Sequence, residues 1–441
     1  FLDERMPGWR ERLCDAGYWQ GIDELPEAAF WSAAQDVKSR MLTGVRSRLE
    51  REYRRKRLGS VQLAHVTRYL DPANPNVLTI GFARRFATYK RAALILRDRE
   101  RLLRIVSDAD RPVVFLFAGK AHPADRPGQE VLREIKRAML TPELAGRVVF
   151  LEDYDIQLAR WLVTGVDVWL NNPIAPLEAS GTSGIKAAVN GRLNLSIMDG
   201  WWAEAYDGTN GWGIPGADTV DEGRRDHLDA AAVLDAIEEE VVPMYYGRNS
   251  AGMAPEWVRR CRHAMATVIP HFNMRRTIRD YAAGMYGPAA ALGRELLKDK
   301  ASGAAQLAAW KQRVRAQWKD VRILKVEETA RAADTASPLK LRATVQLGGL
   351  SPQDLRVEFK ALRLLPEAPF DAAPLCSFGH GTPNGQWRAE FAVAGTAADG
   401  SATYEVAAVP PGTGQYQLEV RVYPWHPLLG HPLEMGLMKT L

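Results

Sequence analysis

From residue 77 to residue 200 the chain alternates two patterns, short unbroken apolar runs and longer segments whose apolar positions recur every three to four residues. The runs VLTIGF (Val77 to Phe82), PVVFLFAG (Pro112 to Gly119), RVVFLE (Arg147 to Glu152), VDVWLN (Val166 to Asn171) and LNLSIMDG (Leu193 to Gly200) predict buried strands. Between them Tyr89 to Val106, Gly128 to Met139, Asp155 to Val163 and Thr182 to Asn190 predict helices. Strands that alternate with helices imply right-handed crossovers and an α/β fold built on a doubly wound parallel sheet. Ligands of such sheets lie beyond the carboxyl ends of the strands. Two stretches fall there, the loop GFARRFATYKR and the segment EASGTSGIK from Glu178 to Lys186.

The flanks follow other periods. The opening residues are polar and Arg-rich with helical spacing, as in DVKSRMLTGVRSRLEREYRRKRL from Asp36 to Leu58, and their arginines read as a solvated helix face. Val241 to Trp318 is again helical, with Pro243, Pro255, Pro270 and Pro288 as breaks. Beyond it Leu339 to Leu347, Asp354 to Leu362, Trp387 to Gly395, Ala402 to Val409 and Tyr416 to Pro424 alternate apolar and polar positions, a β-sandwich module preceded by a soft linker around ARAADTASP. Four segments are therefore expected: helical residues 1–72, a Rossmann-like lobe at 73–240, helical residues 241–318 and the β-sandwich at 319–441. Such a module either binds carbohydrate or braces its neighbour, and bracing is the favoured reading.

Composition removes several classes. The 58 basic and 53 acidic residues nearly balance, and no basic block is interleaved with aromatics, so no nucleic-acid partner is expected. No apolar run has membrane-spanning length and no signal peptide is read, so no membrane partner is expected either. Cys14, Cys261 and Cys376 are far apart and odd in number, which fits a reducing, cytoplasmic compartment. The eight histidines form no metal spacing. The chain opens on Phe1, so a piece of a longer protein is expected.

The chemistry concentrates in the two stretches beyond the strands. Arg84, Arg85, Lys90 and Arg91 follow a strand end, where no single solvated face accounts for all four. They form a candidate anion site, with Arg85 gripping a phosphate in a bidentate fork, Lys90 acting as a point charge, and Arg84 and Arg91 in lesser roles. In EASGTSGIK the small residues and helix start offer the Thr182 hydroxyl and the free N–H groups of Ser183 and Gly184 to a second phosphate. Considered alone, this stretch is equally a tight strand-to-helix turn. His122 and the pair Trp201–Trp202 are weaker candidates, the tryptophans either stacking on a sugar or packing at a domain edge.

In order and spacing, GFARRFATYKRA, FAGKAHPAD, FLEDYDIQLA and EASGTSGIKAAVNGRLNLSIMDG resemble the second lobe of the α-glucan phosphorylases, the glycogen, starch and maltodextrin phosphorylase family. The closing WHPLLGHPLEMGL resembles the shorter bacterial and archaeal branch. The resemblance implies the C-terminal lobe of a two-lobed glycosyltransferase-B-type fold. It implies pyridoxal 5′-phosphate held by Lys186 as a Schiff base, with Arg84, Tyr154, Ser183 and Gly184 around the coenzyme. It further implies that Arg85, Lys90 and Thr182 serve the phosphates, while Glu178, Ser180 and Gly181 hold the glucose at the cleaved bond. The implied reaction is reversible phosphorolysis of terminal α-1,4 bonds of a glucan by inorganic phosphate, giving glucose 1-phosphate with retained configuration.

The family's first lobe supplies a glycine-rich loop and a histidine to the same cleft, and neither has a counterpart here. That N-terminal lobe is expected to be missing or supplied in trans, and a homo-oligomer is compatible with the sequence. A sugar-nucleotide glycosyltransferase would share the fold, but such enzymes often carry a second glutamate where this chain has Lys186. A non-catalytic glucan-binding fragment is the other competing reading.

Overall fold

The computed structural model describes residues 1–331, 337–364, 386–412 and 415–441. Contacts divide the chain into two compact units, residues 1–277 and 278–441. In the first, six strands among the described residues form one parallel sheet: β1 Leu78–Ala83, β2 Val113–Ala118, β3 Val148–Leu151, β4 Val168–Asn171, β5 Leu193–Ile197 and β6 Gly211–Ile214. Their order is β3-β2-β1-β4-β5-β6, with every pair parallel. Each residue of β1 to β5 is buried, which is why these strands read as unbroken apolar runs rather than as an alternation. The sixth strand, GWGI, was not predicted, because two glycines in four residues leave no apolar run to detect.

The predicted helix Tyr89 to Val106 is corrected. It resolves into two short 3-10 turns, Thr88–Lys90 and Leu94–Leu96, followed by the helix Arg99–Ser107. The break is at Arg91, whose φ of 48° places it in the left-handed region. Its guanidinium donates to the carbonyls of Asn172 and Pro173 at 3.1 and 2.7 Å and pairs with Asp229 and Asp226 at 2.7 and 3.0 Å. Those partners outweigh helix propensity, which is worth only tenths of a kcal/mol per residue.

The Arg-rich opening segment also departs from expectation. Its helix, Glu27–Arg55, carries a fully buried Lys38 whose ammonium pairs with Asp167 and donates to the Val77 carbonyl at 2.6 Å. The same Asp167 oxygen accepts the backbone N–H and the hydroxyl of Thr79, both at 2.8 Å. Arg48 donates to the carbonyls of Glu152 and Asp153 at 3.1 and 2.6 Å, so it is a fastener rather than a solvated face. Burial pulls the Lys38 ammonium down to about 8, with Asp167 opposing.

The second unit holds a long helical stretch, Gly287–Gln317, interrupted at Lys298–Ala301, and two antiparallel sheets. One is β10-β9-β13-β14, from Gln386–Glu390, Leu355–Leu364, Gln415–Pro424 and Lys439–Thr440. The other is β11-β12-β8-β7, from Ala392–Thr396, Ser401–Ala408, Leu339–Gln346 and Arg322–Ala330. The predicted strand Trp387 to Gly395 is two strands in different sheets. The chain changes sheet at Phe391, which is buried and donates its N–H to the Val357 carbonyl at 2.8 Å. The expected linker lies between β7 and β8 rather than ahead of the sandwich, and its residues 332–336 fall outside the described residues, as do Cys376 and His380. Asp354 is the module's internal anchor, accepting from the Trp310 indole at 2.6 Å and from Arg313 at 2.8 Å. No helix among the described residues is long and apolar enough to cross a membrane.

Two stability predictions arise from these buried polar groups. Lys38→Met would strand the Asp167 carboxylate without its counter-charge, and breaking such a pair from one side costs about 3–5 kcal/mol. A urea titration checks this, and a midpoint unchanged from wild type would mean that Asp167 finds another partner. In the same unit His263 bonds to Asp207 at 2.8 Å, which raises the imidazole above its ordinary 6.5 and helps to lower the carboxyl below its ordinary 3.8. The histidine's contribution is complete below 6.5 and disappears as pH rises through its higher folded value; that of Asp207 disappears as pH falls through its lower one. His263→Gln should therefore remove a loss of thermal stability that wild type shows as pH rises above 6.5, checked by melting temperature against pH.

Candidate functional site

Strand order reverses between β1 and β4, which opens a crevice beyond their carboxyl ends. The loop leaving β1 begins at Arg84 and continues the sheet ladder for a few residues. Arg84 N–H donates to the Ala118 carbonyl at 3.1 Å and Phe86 N–H to that of Lys120 at 3.0 Å. Two glycines let neighbouring chain press on this loop. A Cβ on Gly119 would lie 2.0 Å from the Arg84 carbonyl oxygen, and one on Gly128 would lie 2.0 Å from that of Phe86. The loop leaving β4 is tied to it where Ile174 N–H donates to the Tyr89 carbonyl at 2.8 Å.

These two loops bring three charged side chains into direct contact. Arg84 Nη2 donates to Glu178 Oε1 at 2.8 Å and Lys90 Nζ to Oε2 at 2.7 Å, and all three residues are buried. Burial lowers the Arg84 guanidinium from its ordinary value while Glu178 opposes the shift. The trio carries two positive charges against one negative, and Arg84 Nε and Nη1 are buried with no partner among the described residues. A buried cation with unspent donors calls for a second anion. Burial raises the nearby Tyr154 hydroxyl, and the Arg84 charge acts against that rise.

The segment after Glu178 starts the helix Thr182–Ala188, with Gly181 at φ 82° as its N-cap. Thr182 is exposed, Ser180 and Ser183 are half-buried, and Gly184 is buried with its carbonyl accepting from Asn194 at 3.1 Å. Lys186 is exposed one turn further on. It lines a cavity of about 590 Å³ whose walls include Trp9, Leu13, Phe272 and Asn273.

Two family profiles match this chain. One described as carbohydrate phosphorylase covers residues 53–209, and one described as glycogen phosphorylase C-terminal domain covers residues 318–441. Residues 53–209 thus carry a carbohydrate phosphorylase domain. It is 39% identical over 424 residues to a glycogen phosphorylase of Mycobacterium tuberculosis, covering 95% of this chain and 47% of that protein. A maltodextrin phosphorylase of Thermococcus litoralis is 35% identical over 438 residues, 98% of this chain and 48% of that protein. A glycogen phosphorylase of Aquifex aeolicus is 43% identical over 268 residues, 61% and 38% respectively. The chain thus spans about half the length of the first two of these phosphorylases.

Within this chain the expected site residues are unevenly gathered. Arg84, Lys90 and Glu178 form the charged trio, whereas Arg85 beside them is exposed. Arg84, ranked low in the sequence, is at the centre; Arg91, ranked with it, is spent on fastening the loops. No hydrogen bond or ion pair joins Lys186 to the trio among the described residues. Trp201 and Trp202 are buried, with the Trp202 indole donating to the Trp212 carbonyl at 3.1 Å, so both pack rather than offer a platform. The exposed His122 accepts the Ala124 N–H at 3.1 Å and shapes its own turn. Sequence reading missed Gly119 and Gly128, although the first sits in a quoted block; only the fold brings them against Arg84 and Phe86.

Glu178→Gln should leave both cations uncompensated, at a stability cost of about 3–5 kcal/mol for a buried pair broken from one side. Inorganic phosphate should then raise the melting temperature of the variant more than that of wild type, because only the variant lacks the internal counter-charge. An equal response in both proteins would show that Glu178 does not compete with the anion.

Proposed function

We propose that this chain provides the coenzyme and phosphate wall of an α-glucan phosphorylase. The reaction is reversible phosphorolysis of terminal α-1,4-glucosidic bonds, releasing glucose 1-phosphate with retained configuration. The observation that carries the reading is the buried, incompletely neutralised Arg84–Lys90 pair at the strand-order reversal, with two guanidinium nitrogens unspent among the described residues. The names of the relatives, glycogen and maltodextrin phosphorylase, support the choice of substrate.

Pyridoxal 5′-phosphate fits the residues present. Lys186 supplies an exposed primary amine for the Schiff base; the cavity it lines, with Trp9, Leu13 and Phe272, holds none of the residues offered to the phosphates. The unspent Arg84 donors, the exposed Arg85 and Thr182, and the N–H group of Ser183 are the groups for the phosphates; the Gly184 N–H, expected to be free, instead donates to the Gly181 carbonyl at 3.1 Å. Tyr154 packs against the apolar core, near enough to Arg84 to feel its charge. When bound, the coenzyme supplies a phosphate group that exchanges a proton with the substrate phosphate.

The chain's own part is electrostatic and positional. Two anions approach only where fixed positive charge offsets their repulsion, and Arg84, Arg85 and Lys90 provide it without reorganising during the reaction. Glu178, Ser180 and Gly181 orient the glucose hydroxyls, so the glycosidic carbon is presented to the phosphate in one geometry. Glucan and phosphate are the partners, and the reaction is placed in the cytoplasm.

Lys186 is the residue to test. The chain is incubated with pyridoxal 5′-phosphate, reduced with borohydride and digested. The pyridoxyl group is expected on Lys186 and absent from Lys186→Ala; labelling concentrated on another lysine would overturn the assignment.

A further inference from the structure

Glu178 does not hold its own place in the crevice. It lies in the loop leaving β4, between Leu177, which is 56% exposed, and Ala179, which is exposed as well. What fixes its backbone comes from the far side, from the turn that ends β5. Asp199 is buried there, and both its carboxylate oxygens are used. Oδ2 accepts the Glu178 N–H and Oδ1 the Gly200 N–H, each at 2.8 Å. Gly200, at φ 54°, brings the turn so close that a Cβ would lie 2.5 Å from the Ser180 carbonyl oxygen and 2.9 Å from that of Glu178. One residue on, Trp201 N–H donates to the Ser180 carbonyl at 2.8 Å, and its ring packs edge-on against Phe272 with centroids 5.3 Å apart.

We propose that Asp199 is the positioning residue that sets Glu178 between Arg84 and Lys90. The inference rests on the reading of that trio as an anion site. A carboxylate bridging two cations must keep both oxygens within hydrogen-bond reach at once, and a shift of its backbone by an ångström breaks at least one bridge. Asp199 prevents that shift by a charge-assisted bond to the Glu178 amide itself. It touches neither cation, so its effect passes through Glu178. Its loss should free the cations, and free cations bind an added anion more tightly. A residue that merely stabilised the fold would change anion binding in the opposite direction.

The experiment is a double-mutant cycle with inorganic phosphate as the probe. By calorimetric titration Asp199→Ala should bind phosphate roughly three- to tenfold more tightly than wild type, up to the equivalent of one pKa unit. In the Glu178→Gln background, which already lacks the bridging charge, the same substitution should change phosphate affinity by less than about twofold, as for pairs that act through one group. Weaker binding by Asp199→Ala, or a gain that persists in the Glu178→Gln background, would overturn the proposal; the second result would mean that Asp199 acts through its own charge. A separate arm does not depend on phosphate. Deuterium uptake in the peptide containing Glu178 should accelerate in Asp199→Ala, and unchanged uptake would overturn the anchor outright. If wild type binds no phosphate, the anion-site reading fails while the uptake arm still decides the anchor. Should Asp199→Ala not fold, Asp199→Asn, with one acceptor oxygen for two N–H groups, should change both readouts in the same direction by less.

Discussion

One carboxylate shared by two buried cations is the constraint around which the crevice is built. Glu178 neutralises half of the charge that Arg84 and Lys90 carry, in surroundings where an unpaired charge is expensive. Both cations follow β1 and the carboxylate follows β4, the two strands between which the sheet order reverses. The parallel sheet brings the three groups to one spot, and their residual positive charge makes that spot a place for an anion.

The surrounding contacts restrict how the loops lie. Arg91 joins the loop after β1 to the loop after β4 through two carbonyls and two carboxylates. Gly119 and Gly128 allow the chain after β2 to close on Arg84 and Phe86 without a side chain between. For the proposed phosphate site such rigidity is an advantage, since donors already aimed at an anion need no rearrangement when it arrives.

The second unit has its own core, with Val345, Val357 and Phe359 from facing sheets at its centre. Its anchor follows similar physics: Asp354, buried, gathers an indole, a guanidinium and the Ser351 N–H and hydroxyl at 2.6 to 3.0 Å. In both units a buried carboxylate with several donors joins segments far apart in sequence.

The sequence by itself determined the parallel sheet, because strands buried on both faces must be apolar throughout and five of six announced themselves in that way. It carried the phosphorylase resemblance as well, since GFARRFATYKR and EASGTSGIK keep their order and spacing, and it included Arg84, Lys90 and Glu178 in a larger set of candidate residues. It could not separate Arg84 from Arg91. Arg84 and Arg91 are chemically alike and seven residues apart, and only the fold decides that one faces Glu178 and the other Asp229. The helix expected across Arg91 failed for the same reason, that the partners breaking it lie more than 80 residues away. The strand at Gly211 and the change of sheet at Phe391 were hidden because neither is a local preference; each exists through backbone pairing with distant chain. What periodicity records is which side of an element is buried. Which buried charge meets which is decided only when the sheet closes, because Coulomb and hydrogen-bond energies depend on distances that no local pattern encodes.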